Sequence, residues 1–257
     1  MSRSFRIIVS VVVVVVIVVI AGVGYLYVSG GSGAPSATLS APTLAVAAAP
    51  TNAPTAAASA EAVAQATEPA AATEASGLTV FNIVTDQSKV SFTLNEVLNG
   101  SPNKVVGTTN QVAGQIGVDF THPENSQVGE IKIDARTLAT DSSMRDRMIR
   151  GQILQSAQDQ YEFVSYQPSA ITGLPASVTL QQPFSFQIAG DLTIRTITKP
   201  VTFDVTVTPD SQTKLEGTAT ATVQRDDFSL TIPNVPQVAS VDQAVKLEID
   251  FTATSAS

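Results

Sequence analysis

Residues 190–207 read GDLTIRTITKPVTFDVTV. Leu192 and Ile194 share one parity, and Val201, Phe203, Val205 and Val207 share another. Thr193, Arg195, Thr202, Asp204 and Thr206 fill the positions between them. Side chains alternate faces along a strand, so this pattern is two strands about a short turn, each apolar on one face and polar on the other. The apolar face either packs a core or lines a space that holds something else.

The same alternation recurs on both sides of this hairpin, from Thr79 onward. TVFNIV, VSFTLNEVL, GQIGVDF, GEIKIDAR, YEFVSYQPSAI, PFSFQIAGDLTI, TKLEGTATATVQ and AVKLEIDFTAT are separated by pieces rich in turn residues. Their content of Val, Ile, Thr and Phe predicts roughly eight antiparallel strands, as a barrel or a sandwich. No βαβ rhythm occurs, which argues against a parallel sheet. The one helical candidate is SSMRDRMIRGQILQS, residues 142–156. Ser142 or Ser143 can cap it, and Met144/Met148 and Ile149/Ile153 are spaced i, i+4. Gly151 weakens it, so a short or broken helix is expected, placed to cover an open end of a barrel.

The N-terminal third is different material. Arg3 and Arg6 are followed by an uncharged run from Ile7 to Val28, with VVVVVVIVVI at its centre. About 20 apolar residues cross a bilayer core, so residues 1–28 read as a cytoplasmic N-terminus and a single transmembrane helix. A cleavage site in SGGSGA stays open, but a cleavable signal usually has a shorter apolar region. Residues 29–77 are almost all Ala, Pro, Thr, Ser and Gly, a composition that cannot bury enough apolar surface to order itself. As a free tether this segment separates its ends by roughly 35–45 Å. Residues 78–257 are then one β-domain on the outer side of the cytoplasmic membrane.

Net charge is −8, and two of the basic residues sit in the anchor, so a nucleic-acid partner is disfavoured. Without cysteine there are no disulfides and no thiolate ligands. His122 is the only histidine, in a loop before Pro123, and reads as an exposed turn residue rather than a metal ligand. Asp226 and Asp227 follow Arg225 on what reads as a strand, where neighbours point to opposite faces; a surface pair or an Arg225 salt bridge is expected. No G-x-S-x-G elbow occurs, and no enzyme is indicated.

GDLTIRTITKPVTFDV, with VGTTNQVAGQIGVDF, DARTLATDSSMRDRMIRGQIL, QYEFVSYQP and VQRDDFSLTIP in the same order, resembles the YceI-like family over about residues 80–253. The resemblance implies an eight-stranded lipocalin-like barrel outside the cytoplasm that binds a long isoprenoid lipid, with no further cofactor. Three positions depart from the family's pattern: Thr196 and Ser229 where Gly is frequent, and Glu162 where Pro often follows Tyr. Thr196 tolerates a positive φ poorly, which implies a shifted turn.

On this reading the lipid-facing candidates are Phe92, Phe120, Ile133, Phe163, Phe186, Leu192, Ile194, Phe203 and Phe228, with Ile149, Ile153 and Leu154 from the cap segment. Each is equally a candidate for plain core packing. Arg145, Arg147 and Arg150 are candidates for a phosphate headgroup at a barrel mouth; the bland alternative is a structural Arg145–Asp146 pair with the others solvated. Gly114, Gly117, Ala135, Ala189, Ala219 and Ala221 suggest interior room. The competing function is a filled barrel displayed on a stalk as a structural or protein-interaction module. A homodimer remains open at this point.

Overall fold

The computed structural model describes residues 33–36, 39–40, 43–44 and 77–255. The apolar run Ile7–Val28 lies outside them, as does most of the 29–77 segment. Among the described residues no helix is long and apolar enough to cross a membrane.

The described chain is all-β, with antiparallel strands curled into a half-barrel. In order they are β1 (Thr79–Ile83), β2 (Lys89–Leu98), β3 (Ser101–Thr109), β4 (Val112–Ala113), β5 (Gln115–Val118), β6 (Gln127–Val128), β7 (Ile131–Asp134), β8 (Phe163–Thr172), β9 (Phe184–Ile194), β10 (Ile197–Ser211), β11 (Lys214–Gln224), β12 (Val238–Val241) and β13 (Ala244–Ser255). Neighbours run β4-β7-β8-β9-β10-β11-β13-β1-β5-β6, and β2 joins β13, β3 and β12. β4, at one end of this path, passes through Gly114 directly into β5, the strand next to the other end, and the Ile83 amide donates to Gly114 O at 3.0 Å.

Among the described residues there are thirteen strands where eight were expected. β4 and β6 have two residues each, too few to show alternation. β3 has nine, but Pro102, Asn103 and Gly107 depress its strand propensity, and its tight Asn99–Gly100 turn supplies the positive φ at both positions that a type I′ hairpin needs.

The opening hairpin forms as read. Ile194 pairs with Ile197 about a two-residue turn, and the register runs without a break to Phe184 opposite Val207. The left-handed φ falls on Arg195 (58°), and Thr196 keeps a negative φ, so the turn accommodates the β-branched residue by placing the strain one position earlier. Ser229 does adopt the left-handed conformation (φ 50°, ψ 38°) that glycine takes more easily.

The helical segment is short and broken, as expected. Helix α1 (Ser143–Met148) is capped by Ser142, whose hydroxyl accepts from Arg145 N at 3.4 Å, and Ile149–Ile153 continue as a π turn containing Gly151. Arg145 does not pair with Asp146. It reaches Asp141 one turn back and Glu96 of β2 at 3.0 Å, while Asp146 accepts from the amide and the hydroxyl of Thr140 at 2.7 Å each. Adjacent residues on a helix face different ways, and these two find separate partners.

Arg225 and the two aspartates also differ from the reading. They occupy a 3-10 turn, Arg225–Phe228, rather than a strand. The buried Arg225 guanidinium donates to the carbonyls of Asp242, Leu230 and Val241, so it is held by backbone and by no carboxylate among the described residues.

Candidate binding cavity

Alternation on β9 and β10 places one parity inside. Phe184, Phe186, Ile188, Leu192 and Ile194 point inward from β9, and Phe203, Val205 and Val207 from β10, while Ser185, Gln187, Asp204 and Thr206 face out. At the turn end of this hairpin the interior is packed. Leu192, Ile194, Ile133, Leu154 and Phe228 are buried together in the core, with Ile149 against them. Arg195 ties the turn to the cap by donating to Ile153 O at 3.2 Å.

Toward the other end the interior is empty. A cavity of about 100 Å³ lies between the β9–β10 side (Phe184, Phe186, Ile188, Phe203, Val205, Val207), the β11–β13 side (Leu215, Ala219, Ile249, Phe251) and the β5–β7 side (Ile116, Val118, Val128, Ile131). Leu174 and Val178, from the loop between β8 and β9, border it at this end. A water needs about 10–15 Å³, so the void has room for roughly seven to ten, yet its walls offer almost nothing for them to bond. Such a space is suited to hydrocarbon.

Tyr166 contributes the one phenol in the wall. Its hydroxyl lies 2.9 Å from Ile188 O and 3.0 Å from Val201 O, so its proton is already committed to backbone. Burial, helped by the charge of Asp191, pushes its pKa up to about 12 and keeps it neutral. The ring meets Phe203 edge-on, with centroids 4.9 Å apart at 69°. Gly190 makes room: a Cβ there would stand 2.8 Å from Tyr166 Cζ and 2.5 Å from Gln167 O.

Of the predicted lining residues, Phe186 and Phe203 border this cavity. Ile133, Leu154, Leu192, Ile194 and Phe228 are core residues elsewhere, and Phe92, Phe120 and Ile149 pack against that core. The Phe92 ring covers Gly107 on β3, Phe120 meets Phe81 edge-on at 6.2 Å, and Ile153 and Phe163 are half-buried near the cap. Among the small residues suggested for interior room, Ala219 is in the wall. Phe184, Ile188, Val205, Val207, Leu215, Ile249 and Phe251 are also in the wall and were not among the lipid-facing candidates, although parity alone groups the first four with Phe186 and Phe203.

Arg145, Arg147 and Arg150 do not converge. Arg145 is held by Glu96 and Asp141, Arg150 donates to Arg136 O at 3.0 Å, and Arg147 is exposed. The stronger charged cluster is one that the reading passed over. Arg136 is buried and donates to Ser156 O (2.6 Å), to Asp159 (2.6 Å) and to Glu162 (3.2 Å). Asp134 beside it is held above the usual carboxylate range by burial. His122 is exposed, 4.0 Å from Asp119, whose carboxylate is lowered to about 2 by hydrogen bonds from the Thr121 hydroxyl and the His122 amide. Among the described residues no three metal-binding side chains cluster.

The YceI-like domain model matches residues 81–253. This chain belongs to the YceI-like family. Two solved structures share the YceI-like fold with it. BcnA of Burkholderia cenocepacia is 20% identical, with a TM-score of 0.54 over 67% of this chain and 99% of its own. A polyisoprenoid binding domain from Saccharophagus degradans, implicated in plant cell wall breakdown, is 12% identical, with a TM-score of 0.53 over 70% of this chain and 99% of its own. At these identities the likeness concerns the fold. No curated protein matches the sequence.

Proposed function

We propose that this YceI-like chain binds a long apolar lipid, an isoprenoid, non-covalently in the cavity behind Leu174 and Val178, and that the Ile7–Val28 run anchors it to the outer side of the cytoplasmic membrane. The observation that carries the reading is the void itself: its wall is apolar, and its one phenol has no proton to offer a ligand. The polyisoprenoid binding domain of Saccharophagus degradans, which shares the fold, supports the choice of ligand class. The anchor and the location rest on the length of the apolar run and on Arg3 and Arg6 before it.

Apolar burial drives such binding. A tail burying roughly 400 Å² gains at most about 10 kcal/mol before association costs, at ~25 cal/mol per Å². With so few polar groups in the wall, discrimination is by length and branching rather than by headgroup. A chain of many isoprene units exceeds the resting void, so the β8–β9 loop has to give way to admit one.

Solvent extraction of the purified full chain, followed by mass spectrometry, tests this. A prenyl hydrocarbon mass near one per chain is expected. A chain that carries none, and that takes up no polyprenol from vesicles, contradicts the proposal.

A further inference from the structure

Two pieces of the Ala/Pro/Thr/Ser segment lie against the fold at built positions. Arg136 Nη1 donates to Ala34 O at 2.7 Å, and the Ser36 amide donates to Glu162 Oε1 at 2.7 Å. Arg136 and Glu162 are both buried and are paired with each other at 3.2 Å, so they form one charged receptor for this stretch of backbone. Glu162 stands where the family often has Pro, so this half of the receptor is a departure from the family's pattern.

Further along, the Leu44 amide donates to Gln115 Oε1 at 2.6 Å. The Leu44 methyls cover two glycines: a Cβ at Gly117 would come within 2.9 Å of Leu44 Cδ2, and one at Gly129 within 3.2 Å of Cδ1. Ile116 and Val118, on either side of Gly117, border the cavity, so by alternation Leu44 sits on the back of the cavity wall.

We propose that these contacts form a clasp that holds the α1 end of the fold toward the membrane and the cavity end away from it. The orientation rests on the reading of Ile7–Val28 as an anchor. Gly33 follows Val28 by five residues, which reach at most about 18 Å, against roughly 35–45 Å for the free tether. The docked residues lie beside the cap, since Gly33 meets Ala157 just past the π turn. Exposed Met144 and Arg147 on α1 then face the bilayer at close range, a thioether and a cation suited to the interface of an anionic membrane.

The β8–β9 loop is at the other end of the sheet, where the Gln181 amide donates to Pro209 O. The eleven residues of β9 put about 35 Å between the two ends. The clasp therefore points the loop over the cavity at an acceptor surface beyond the anchoring bilayer. Lipid enters and leaves on that side.

The absence of cysteine makes the test clean. A Cβ at Gly33 lies 3.7 Å from Ala157 Cβ, within the ~3.5–4.5 Å of a disulfide. The full chain is placed in vesicles of phosphatidylethanolamine and phosphatidylglycerol, and the double variant Gly33→Cys/Ala157→Cys is oxidised. Most of it is expected to cross-link within the chain, and adding Ser36→Pro and Leu44→Gly, which lie outside the matched domain, lowers the yield about five-fold or more.

Because Gly33 has a φ of 64° that strains a cysteine, amide exchange in the unsubstituted chain is read in parallel; protection at Ser36 and Leu44 is expected. Fluorophores on Met144→Cys and on Leu180→Cys report orientation against a headgroup quencher, with several-fold stronger quenching at 144. A chain that floats with the vesicles but leaves both amides unprotected, or quenches both labels equally, overturns the clasp. A chain that does not float overturns the anchor and the orientation with it, and protected amides in that chain show that the docking itself survives.

Discussion

The two ends of the β9–β10 hairpin use similar residues and reach opposite packing. Near the turn, Leu192 and Ile194 are buried in the core with Leu154 and Phe228, the cap adds Ile149, and none of these borders the cavity. Near the open end, Phe186, Val205 and Val207 face a void of about 100 Å³. The strand alternation is the same at both ends. What differs is what stands opposite: the cap segment packs against the core at one end, and at the other Leu174 and Val178 of the β8–β9 loop, with Pro123 and Ser126 of the β5–β6 connection, border a void. Tyr166 marks the change, with its ring on Phe203 and its hydroxyl bridging to the carbonyls of β9 and β10. An inward apolar residue is thus core or ligand wall according to its height in the sheet, not its type.

The largest test of this contrast is at the charged cluster behind the packed end. Arg136→Met leaves the buried Glu162 without its cationic partner and is expected to cost about 3–5 kcal/mol in chemical denaturation. An unchanged midpoint would mean that Glu162 is solvated there. Next comes a matched pair of leucines. Leu192→Ala opens a new cavity and is expected to cost about 3–5 kcal/mol, whereas Leu215→Ala enlarges an existing one and costs about 2–3. Equal costs would say that the two ends are packed alike.

Ala219→Phe probes the void from within. Filling it is expected to cost no more than about 1–3 kcal/mol and to remove most of the co-extracted lipid. Full lipid retention in a folded variant would place the ligand elsewhere. The pH response probes the cavity side by two groups with shifts of opposite sign. Tyr166 holds its proton to about 12 in the fold, against 10.0 when free, so stability is lost as pH rises from about 10 toward 12. Asp119, lowered from 3.8 to about 2, contributes stability above about pH 4 that is lost as pH falls toward 2. Tyr166→Phe reduces the alkaline loss in pH-dependent denaturation and leaves the acid one. The smallest effect is Ser229→Gly, which relieves a left-handed serine and is expected to raise stability by up to about 1 kcal/mol.

The sequence by itself determined the class of the fold, the hairpin at 190–207, the inward parity of its residues and the short broken cap helix. Each depends on neighbours within a few positions of the chain, where alternation, capping and turn preference act. The two-residue strands β4 and β6 left no such trace, and neither did the position of the positive φ at Arg195. The tertiary structure alone decided which inward residues border empty space. It also decided that Arg136 receives Ala34 and that Leu44 covers Gly117, contacts that join residues 102 positions apart and more than seventy apart. A void is set by what fails to arrive from distant strands, and no local pattern of residues encodes that absence.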